Sequence, residues 1–209
     1  MTDLTTARTA PDSAGPPVRL RVAMADDADA LTAFAARAFT GTYARGGSGV
    51  TATSRPEDVA AYVAERFTPE RQRAELADVD LVTLVAEVPT MEVPTGGAAE
   101  WAGYAQLRRR PSAAAPTPSA CAGAHPRELA RLYVAPAWHG RGVAGMLMDA
   151  VQVRASAEPG GADPLWLAVA QANVRAVAFY RRCGFVVAGA TTFTMGAECQ
   201  DDWLMVWRG

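Results

Sequence analysis

The chain contains no lysine, and its 20 basic residues are all arginine. Against 22 acidic residues they leave a net charge of −2 at pH 7, so no excess of positive charge indicates binding to nucleic acid or to an anionic membrane. The longest basic run is Arg108-Arg109-Arg110, and no second cluster reinforces it. We therefore interpret this run as the solvated end of a strand and predict neither a nucleic-acid partner nor a membrane partner.

Cysteine is also scarce, with only Cys121, Cys183 and Cys199 in 209 residues. The odd number and the absence of a Cys-x-x-Cys pair argue against a disulfide framework and against a zinc site. No apolar run has the length of a membrane span, and the polar N-terminus lacks the apolar core of a secretory signal. We predict a cytoplasmic protein without a bound metal.

The length of 209 residues and a hydrophobic fraction of 50% suit one globular domain. Residues 1–17 are rich in Thr, Ala, Pro and Asp without periodicity and are predicted to be a disordered leader. The domain then occupies residues 18–209. Within it, the Pro/Ala-rich stretch 111–126 is predicted to be a flexible insertion.

Residues 129–150 combine a strand pattern, a glycine-rich turn and a helix pattern. Pro136 ends the strand, and the turn carries Gly140, Gly142 and Gly145. Apolar residues at helical spacing follow. A glycine turn before a helix presents backbone N–H groups at the positive end of the helix dipole, which predicts a phosphate or pyrophosphate site.

The same glycines fit the Gly-x-Gly-x-x-Gly pattern of dinucleotide-binding domains, although a lone match is weak. Such a domain needs an acidic residue after the next strand to hold a ribose. Here the next predicted strand, 165–169, is followed by Gln171 and no carboxylate. The dinucleotide interpretation is therefore an alternative that we do not favour.

Two motifs that follow each other along the chain account for the glycine-rich turn better than the dinucleotide pattern does. The run His139-Gly-Arg-Gly-Val-Ala144 resembles the Gln/Arg-x-x-Gly-x-Gly/Ala signature of the GCN5-related N-acetyltransferases, the GNAT family. The later stretch Asn173-x-x-Ala-x-x-Phe179-Tyr180-x-x-x-Gly184-Phe185 is similar to the second conserved block of that family. His139 departs from the family pattern, which we expect to change the affinity for the ligand rather than to abolish binding.

The predicted order of elements is β-α-α-(α)-β-β-β-α-β-α-β-β. It corresponds to an α/β (α+β) fold, with one mixed sheet of about seven strands and helices on both faces, as the resemblance also implies. A strand at 203–207 is predicted to be an exposed edge, which could pair between two subunits of a homodimer. The ending 192–205 is similar to the PaiA-like branch, whose members acetylate polyamines.

The resemblance implies acetyl-CoA as cosubstrate and Tyr180 as the general acid for the departing thiolate. Reference pKa values of about 10 for a phenol and 8.5 for a thiol make this transfer reasonable. For the base, the resemblance points to Glu128, with a solvated strand end as the equally weighted alternative. His125 is a second alternative by its reference pKa. The residues expected at the cofactor are Leu132, Tyr133, Val134, His139, Gly140, Arg141, Gly142, Val143, Ala144, Gly145, Asn173 and Tyr180.

Tyr43 resembles a feature of the PaiA-like branch and is expected at the acceptor substrate. Asp201 and Asp202 could attract a cationic amine, but a pair of charges before a strand is more often solvated. We predict a transferase, more specifically an acyltransferase, that moves the acetyl group directly from acetyl-CoA to a primary amine of a small molecule. The alternatives are a non-catalytic acyl-CoA-binding module and an acetyltransferase of protein N-termini.

Overall fold

The computed structural model describes residues 18–43, 54–89, 100–111, 115–122, 124–157 and 163–209. The predicted leader, 1–17, lies outside the described residues. So do 112–114 and 123 of the predicted insertion.

Seven strands form one mixed sheet in the order β1-β2-β3-β4-β5-β7-β6. The strands are β1 (Arg19–Val22), β2 (Leu81–Val88), β3 (Glu100–Arg108), β4 (Arg127–Val134), β5 (Leu165–Ala170), β6 (Val186–Met195) and β7 (Glu198–Trp207). Neighbouring strands are antiparallel except β4 and β5, which are parallel. The predicted fold class is confirmed.

Five α-helices in the described part of the chain cover the two faces of the sheet. They are α1 (Ala28–Tyr43), α2 (Pro56–Arg66), α3 (Pro69–Ala77), α4 (Val143–Ala157) and α5 (Val174–Arg182). Leu84 and Ala86 of β2 pack in one core cluster with residues of α4 and α5, whereas Val85 packs in another with residues of α1 and α2. Because successive strand residues point to opposite faces, the two clusters lie on opposite sides of the sheet.

Helix ends follow local chemistry with one exception. Thr68 caps α3 through its side chain, which accepts a hydrogen bond from the Arg71 N–H at 3.3 Å. The sequence Ser54-Arg-Pro-Glu57 fits a capping box, but α2 begins at Pro56 without a side-chain cap. Pro56 occupies the first turn instead, where its fixed φ and missing N–H suit a helix start.

The last two strands are longer than their apolar residues predict. β6 and β7 form a hairpin in which Met195 pairs with Glu198 across a turn at Gly196, where φ is +60°. The added residues of β7 are polar, so no alternating pattern reveals them. The prediction that 203–207 is an exposed edge is wrong, because β7 lies between β5 and β6, and β6 forms that edge of the sheet.

Part of the predicted flexible insertion packs against the sheet. Ser119–Cys121 forms a turn of 3₁₀ helix, and Cys121 is buried in a cluster with Trp166, Leu204 and Val206. These described residues are anchored by apolar contact, a feature that the Pro/Ala-rich composition does not indicate.

Candidate active site

A cleft opens where two parallel strands separate. β4 and β5 pair only at their first two positions, Arg127 with Leu165 and Glu128 with Trp166. Beyond them the strands diverge, and a register shift opposite Gln106 and Leu107 leaves Ala130 without a partner on β3. The resulting cleft has a volume of about 1370 Å³ and extends from the 139–145 loop to Tyr43 and Asp202.

The loop at residues 139–145, which we call the phosphate loop, is shaped by glycine. Gly140 and Gly142 have φ values of +76° and +82°, which side chains with a Cβ rarely adopt. A Cβ added at Gly140, Gly142 or Gly145 would meet no atom within 4 Å, so each glycine faces open space. In this form the loop leaves room for a bulky anion against its backbone.

The N–H groups of this loop are available to such an anion. Val143, Ala144 and Gly145 form the first turn of α4, and their N–H groups make no backbone hydrogen bond among the described residues. Such N–H groups at a helix start, together with the helix dipole, favour a negative charge. Arg141 differs, because its N–H donates to Trp138 O at 3.4 Å and its guanidinium lies over the Trp138 ring.

His139 ties the loop to the end of β4. Its Nε2 lies 3.0 Å from the carbonyl oxygen of Val134, and Arg175 Nη1 and Nη2 lie 3.4 Å from its Nδ1 and Nε2, respectively. Since a carbonyl oxygen can only accept, the His139 Nε2–H donates to Val134. The residue that departs from the family pattern therefore fixes the strand and the loop relative to each other.

The backbone of β4 offers an unpaired edge to the cleft. The N–H of Ala135 donates to Ala102 O on β3 at 2.8 Å, so the preceding residue directs its backbone groups away from β3. Since the direction alternates along a strand, Val134 and Leu132 face the gap that β5 leaves. An extended ligand can pair with this edge as an added strand would. At Val134 only the N–H is available, because His139 occupies the carbonyl.

Asn173 and Tyr180 approach the same cleft from α5. The Asn173 side chain caps α5 by accepting from the Ala176 N–H at 3.1 Å, and its amide NH₂ remains for the cleft. Tyr180 follows two turns later, is 9% exposed and lines the cleft. Burial raises the pKa of Tyr180 above its ordinary value, and the Cys183 thiol and Tyr43 add to the rise. The phenol therefore keeps its proton.

The opposite end of the cleft is lined by Tyr43 of α1 and Asp202 of β7, with Gln200 bound to Asp202 beside it, and we call these three residues the acceptor end. Asp202 is only 7% exposed, whereas its neighbour Asp201 is exposed. Burial raises the pKa of Asp202 to about 6 and that of Tyr43 to about 12, and the Asp202 carboxylate adds to the rise at Tyr43. The expectation that both aspartates are solvated is wrong for Asp202, and its burial depends on a strand whose start the sequence pattern does not reveal.

Residues 53–185, more than half of the chain, match the family model described as the Acetyltransferase (GNAT) family. The chain belongs to this family. A cleft between two diverging parallel strands, with a glycine loop at a helix start, is the candidate active site of this GNAT chain.

Similar proteins are found among named sequences and solved structures. The chain is 44% identical over 79 residues to an uncharacterized N-acetyltransferase of Mycobacterium bovis and to one of Mycobacterium tuberculosis strain H37Rv. This match covers 38% of the chain, and the chain spans about half (49%) of each relative's length.

Two solved structures share the fold over most of both chains. The PaiA N-acetyltransferase of Thermoplasma acidophilum, in complex with coenzyme A, is 19% identical with a TM-score of 0.64 over 92% of this chain and 99% of that chain. NAA60 of Arabidopsis thaliana, in complex with a bisubstrate analogue, is 16% identical with a TM-score of 0.67 over 91% and 97%. At these identities the similarity concerns the fold.

Glu128 and His125 are not among the residues that line the GNAT cleft. Glu128 lies on β4 one residue before the lining begins, with its Oε2 3.9 Å from Arg108 Nε. Burial raises the pKa of Glu128, while Arg108 and Arg131 oppose the rise. His125 binds Asp163 Oδ1 through its backbone N–H at 3.2 Å, at the start of β4. Neither position brings a base directly to the phosphate loop or to the acceptor end.

Within the described ranges no group of three or more His, Cys, Asp or Glu side chains could hold a metal ion. No helix in the same part of the chain has the length and apolar character needed to cross a membrane.

Proposed function

We propose that this GNAT chain is an acetyl-CoA-dependent N-acetyltransferase that acts on a primary amine of a small molecule. The observation that carries the proposal is the cleft itself. It combines an anion-binding helix start, an unpaired strand edge and a protonated tyrosine in one continuous space. A volume of about 1370 Å³ exceeds that of common ligand pockets and suits a long cosubstrate together with an acceptor.

The cosubstrate fits the cleft in one direction. Its pyrophosphate binds the N–H groups of Gly142, Val143, Ala144 and Gly145. Its pantetheine arm pairs with β4 at Leu132 and Val134, and the Asn173 amide reaches the same arm. The similar structures from T. acidophilum and A. thaliana, which hold coenzyme A and a bisubstrate analogue respectively, support a cosubstrate of the CoA class.

Transfer then proceeds directly, without an acyl-enzyme. The amine nitrogen attacks the thioester carbonyl carbon, and the free N–H groups of the diverging strand stabilise the oxyanion. As the C–N bond forms and the C–S bond breaks, Tyr180 gives its proton to the thiolate. The proton that the nitrogen loses as the amide forms then restores the phenol of Tyr180. Close binding of both reactants supplies the entropy advantage of a ternary complex.

Thermal unfolding with acetyl-CoA, CoA and NADH is the first test. A ligand that binds only the native state stabilises it by about 2.7 kcal/mol at a hundredfold excess over its Kd. We expect acetyl-CoA and CoA to raise the melting temperature and NADH to leave it unchanged. A shift with NADH alone would favour the dinucleotide alternative and end the proposal.

Tyr180→Phe tests the acid. Losing a general acid lowers a rate by about 10² to 10⁴, so we expect kcat to fall at least about 100-fold with little change in the Kd of acetyl-CoA. Tyr104→Phe is the matched control, since Tyr104 is fully buried and does not line the cleft. Equal turnover of wild type and Tyr180→Phe at every pH would refute the assigned role. Binding of acetyl-CoA without turnover of alkylamines or peptide N-termini would favour the non-catalytic alternative.

A further inference from the structure

The acceptor end contains a buried carboxylate that the proposed transfer has not used. Asp202 lines the cleft and is 7% exposed. On β7 it pairs with Ala170 of β5 on one side and with Thr191 of β6 on the other. Ala170 and Ala168 also line the cleft, and their small side chains leave space in front of the carboxylate.

The charge of Asp202 is only partly compensated. Gln200 Nε2 donates to its Oδ1 at 2.9 Å. Among the described residues no hydrogen bond reaches its Oδ2, and no arginine forms an ion pair with it. A buried carboxylate without a cationic partner is costly, so a site of this kind favours a guest that brings the positive charge.

The groups around Asp202 are neutral or negative. Tyr43 faces it from α1, Gln200 and Asp201 lie beside it on β7, and β5 presents only alanine at the paired position. Arg37 of α1 lines the same cleft but does not contribute to the pKa of Asp202. Since no cation among the described residues stabilises the ionised carboxylate, an ammonium ion would bring the positive charge that these residues do not supply.

Asp202 and Tyr180 line the same cleft. Besides burial, the Asp202 carboxylate raises the pKa of Tyr43, and Tyr43 in turn adds to the rise at Tyr180. A small amine held at Asp202 therefore shares one cleft with a thioester whose leaving sulfur, in the proposed transfer, receives its proton from Tyr180.

We propose that Asp202 binds the ammonium group of an alkylamine acceptor and removes its first proton. This inference rests on the proposed acetyltransferase function and names its substrate class. An alkylammonium has a pKa near that of lysine, about 10.4, and cannot attack until it loses a proton. That proton passes to Asp202 and then to solvent. The neutral nitrogen attacks, and its second proton ends on the CoA thiolate through Tyr180.

The test compares Asp202→Asn with Asp201→Asn, which removes a neighbouring exposed carboxylate from the same strand. The acceptors are n-butylamine and spermidine, which are cationic, and hydroxylamine, which is neutral near pH 8. For the two cationic amines we expect Asp202→Asn to raise KM and lower kcat/KM at least about 10-fold. With hydroxylamine we expect a change of less than about 2-fold, since a neutral nucleophile needs no anionic partner.

Several outcomes overturn the inference. Asp202→Asn and Asp201→Asn with equal kinetics would exclude a role for Asp202, and an equal loss with hydroxylamine would make its effect merely structural. Stabilisation of Asp202→Asn by acetyl-CoA reports that the variant is folded, and Asp202→Glu should recover part of the activity toward cationic amines. If wild type fails to bind acetyl-CoA, the proposed function fails as well. If wild type binds acetyl-CoA and acetylates alkylamines independently of Asp202, only the present inference fails.

Discussion

The two ends of the cleft are constructed differently. The phosphate loop presents backbone N–H groups, and Gly140, Gly142 and Gly145 leave open space in front of them. The acceptor end presents side chains, with Tyr43 from α1 meeting Gln200 and Asp202 from β7. One end is formed by seven consecutive residues, and the other by segments about 160 positions apart.

This difference suggests that one end of the cleft binds the part common to all reactions and the other end selects among acceptor amines. A backbone cradle suits a ligand part that stays the same, because N–H groups at a helix start recognise phosphate without a particular side chain. Side chains from distant strands and helices can change without disturbing that cradle. We therefore expect substitutions at the phosphate loop to affect every acceptor equally, and substitutions at the acceptor end to discriminate among amines.

The largest expected effect comes from placing a negative charge in the phosphate loop, compared with the same charge near the acceptor end. In Gly145→Asp, a carboxylate enters the first turn of α4, where it suits the helix dipole but repels the pyrophosphate. Two like charges about 4 Å apart repel by several kcal/mol even at an effective dielectric constant of 20. We expect the affinity for CoA to fall at least about 100-fold in calorimetry, without loss of thermal stability.

Gly41→Asp is the matched variant for the acceptor end. Gly41 also belongs to a helix, lines the cleft and has no atom within 4 Å of an added Cβ. We expect its affinity for CoA to equal that of wild type. If both variants lose CoA equally, the two ends are not separate sites, and the comparison between them is wrong.

The second prediction concerns the stability cost of the acceptor end. The pKa of Asp202 rises from 3.8 to about 6 on folding, so the folded state favours the protonated carboxyl. The stabilisation from this protonated form is complete below about pH 4 and is lost as the pH rises through 6. Asp202→Asn keeps a neutral side chain throughout. At pH 8 we expect the variant to be more stable by about 1 to 2 kcal/mol, a figure reduced for solvent in the cleft.

Denaturant unfolding of both proteins between pH 4 and 8 measures this difference. The gain should shrink toward zero as the pH falls, because wild-type Asp202 then becomes neutral as well. Asp201→Asn removes only the neighbouring charge that adds to the rise at Asp202, so its gain in stability should be smaller than that of Asp202→Asn at every pH. A variant that is less stable than wild type at pH 8 would mean that the ionised carboxylate stabilises the empty protein.

The sequence predicts the phosphate-loop end better than the acceptor end, because the first is one contiguous segment and the second joins segments far apart in the chain. Residues 139–145 are contiguous, and the positive φ values at Gly140 and Gly142 are available to glycine by default. The side-chain cap at Asn173 and the left-handed Gly184 just after α5 are likewise local features of the sequence.

Asp202 could not be assigned in this way. Its burial follows from the pairing of β7 with β5 and β6, which joins residues far apart in the chain. The residues from Glu198 to Asp201 are polar and partly exposed, so the start of β7 has no apolar periodicity. Glu128 illustrates the reverse case, since it lies on the predicted strand but just before the strands diverge. The position of Glu128 along β4 does not reveal where the neighbouring strand β5 separates from β4.

The smallest expected effect is the most selective test of the cradle. Gly145 lies within α4, where replacing glycine by alanine stabilises a helix by about 0.5 to 1 kcal/mol. The added methyl group meets no protein atom but enters the space assigned to the pyrophosphate. We expect Gly145→Ala to melt at a higher temperature and yet to bind CoA several-fold more weakly. Gly41→Ala provides the same helical substitution with open space at the acceptor end, and it should change stability without changing the affinity for CoA. General damage to the fold cannot explain weaker CoA binding by a more stable protein. Unchanged binding would instead place the pyrophosphate away from the first turn of α4.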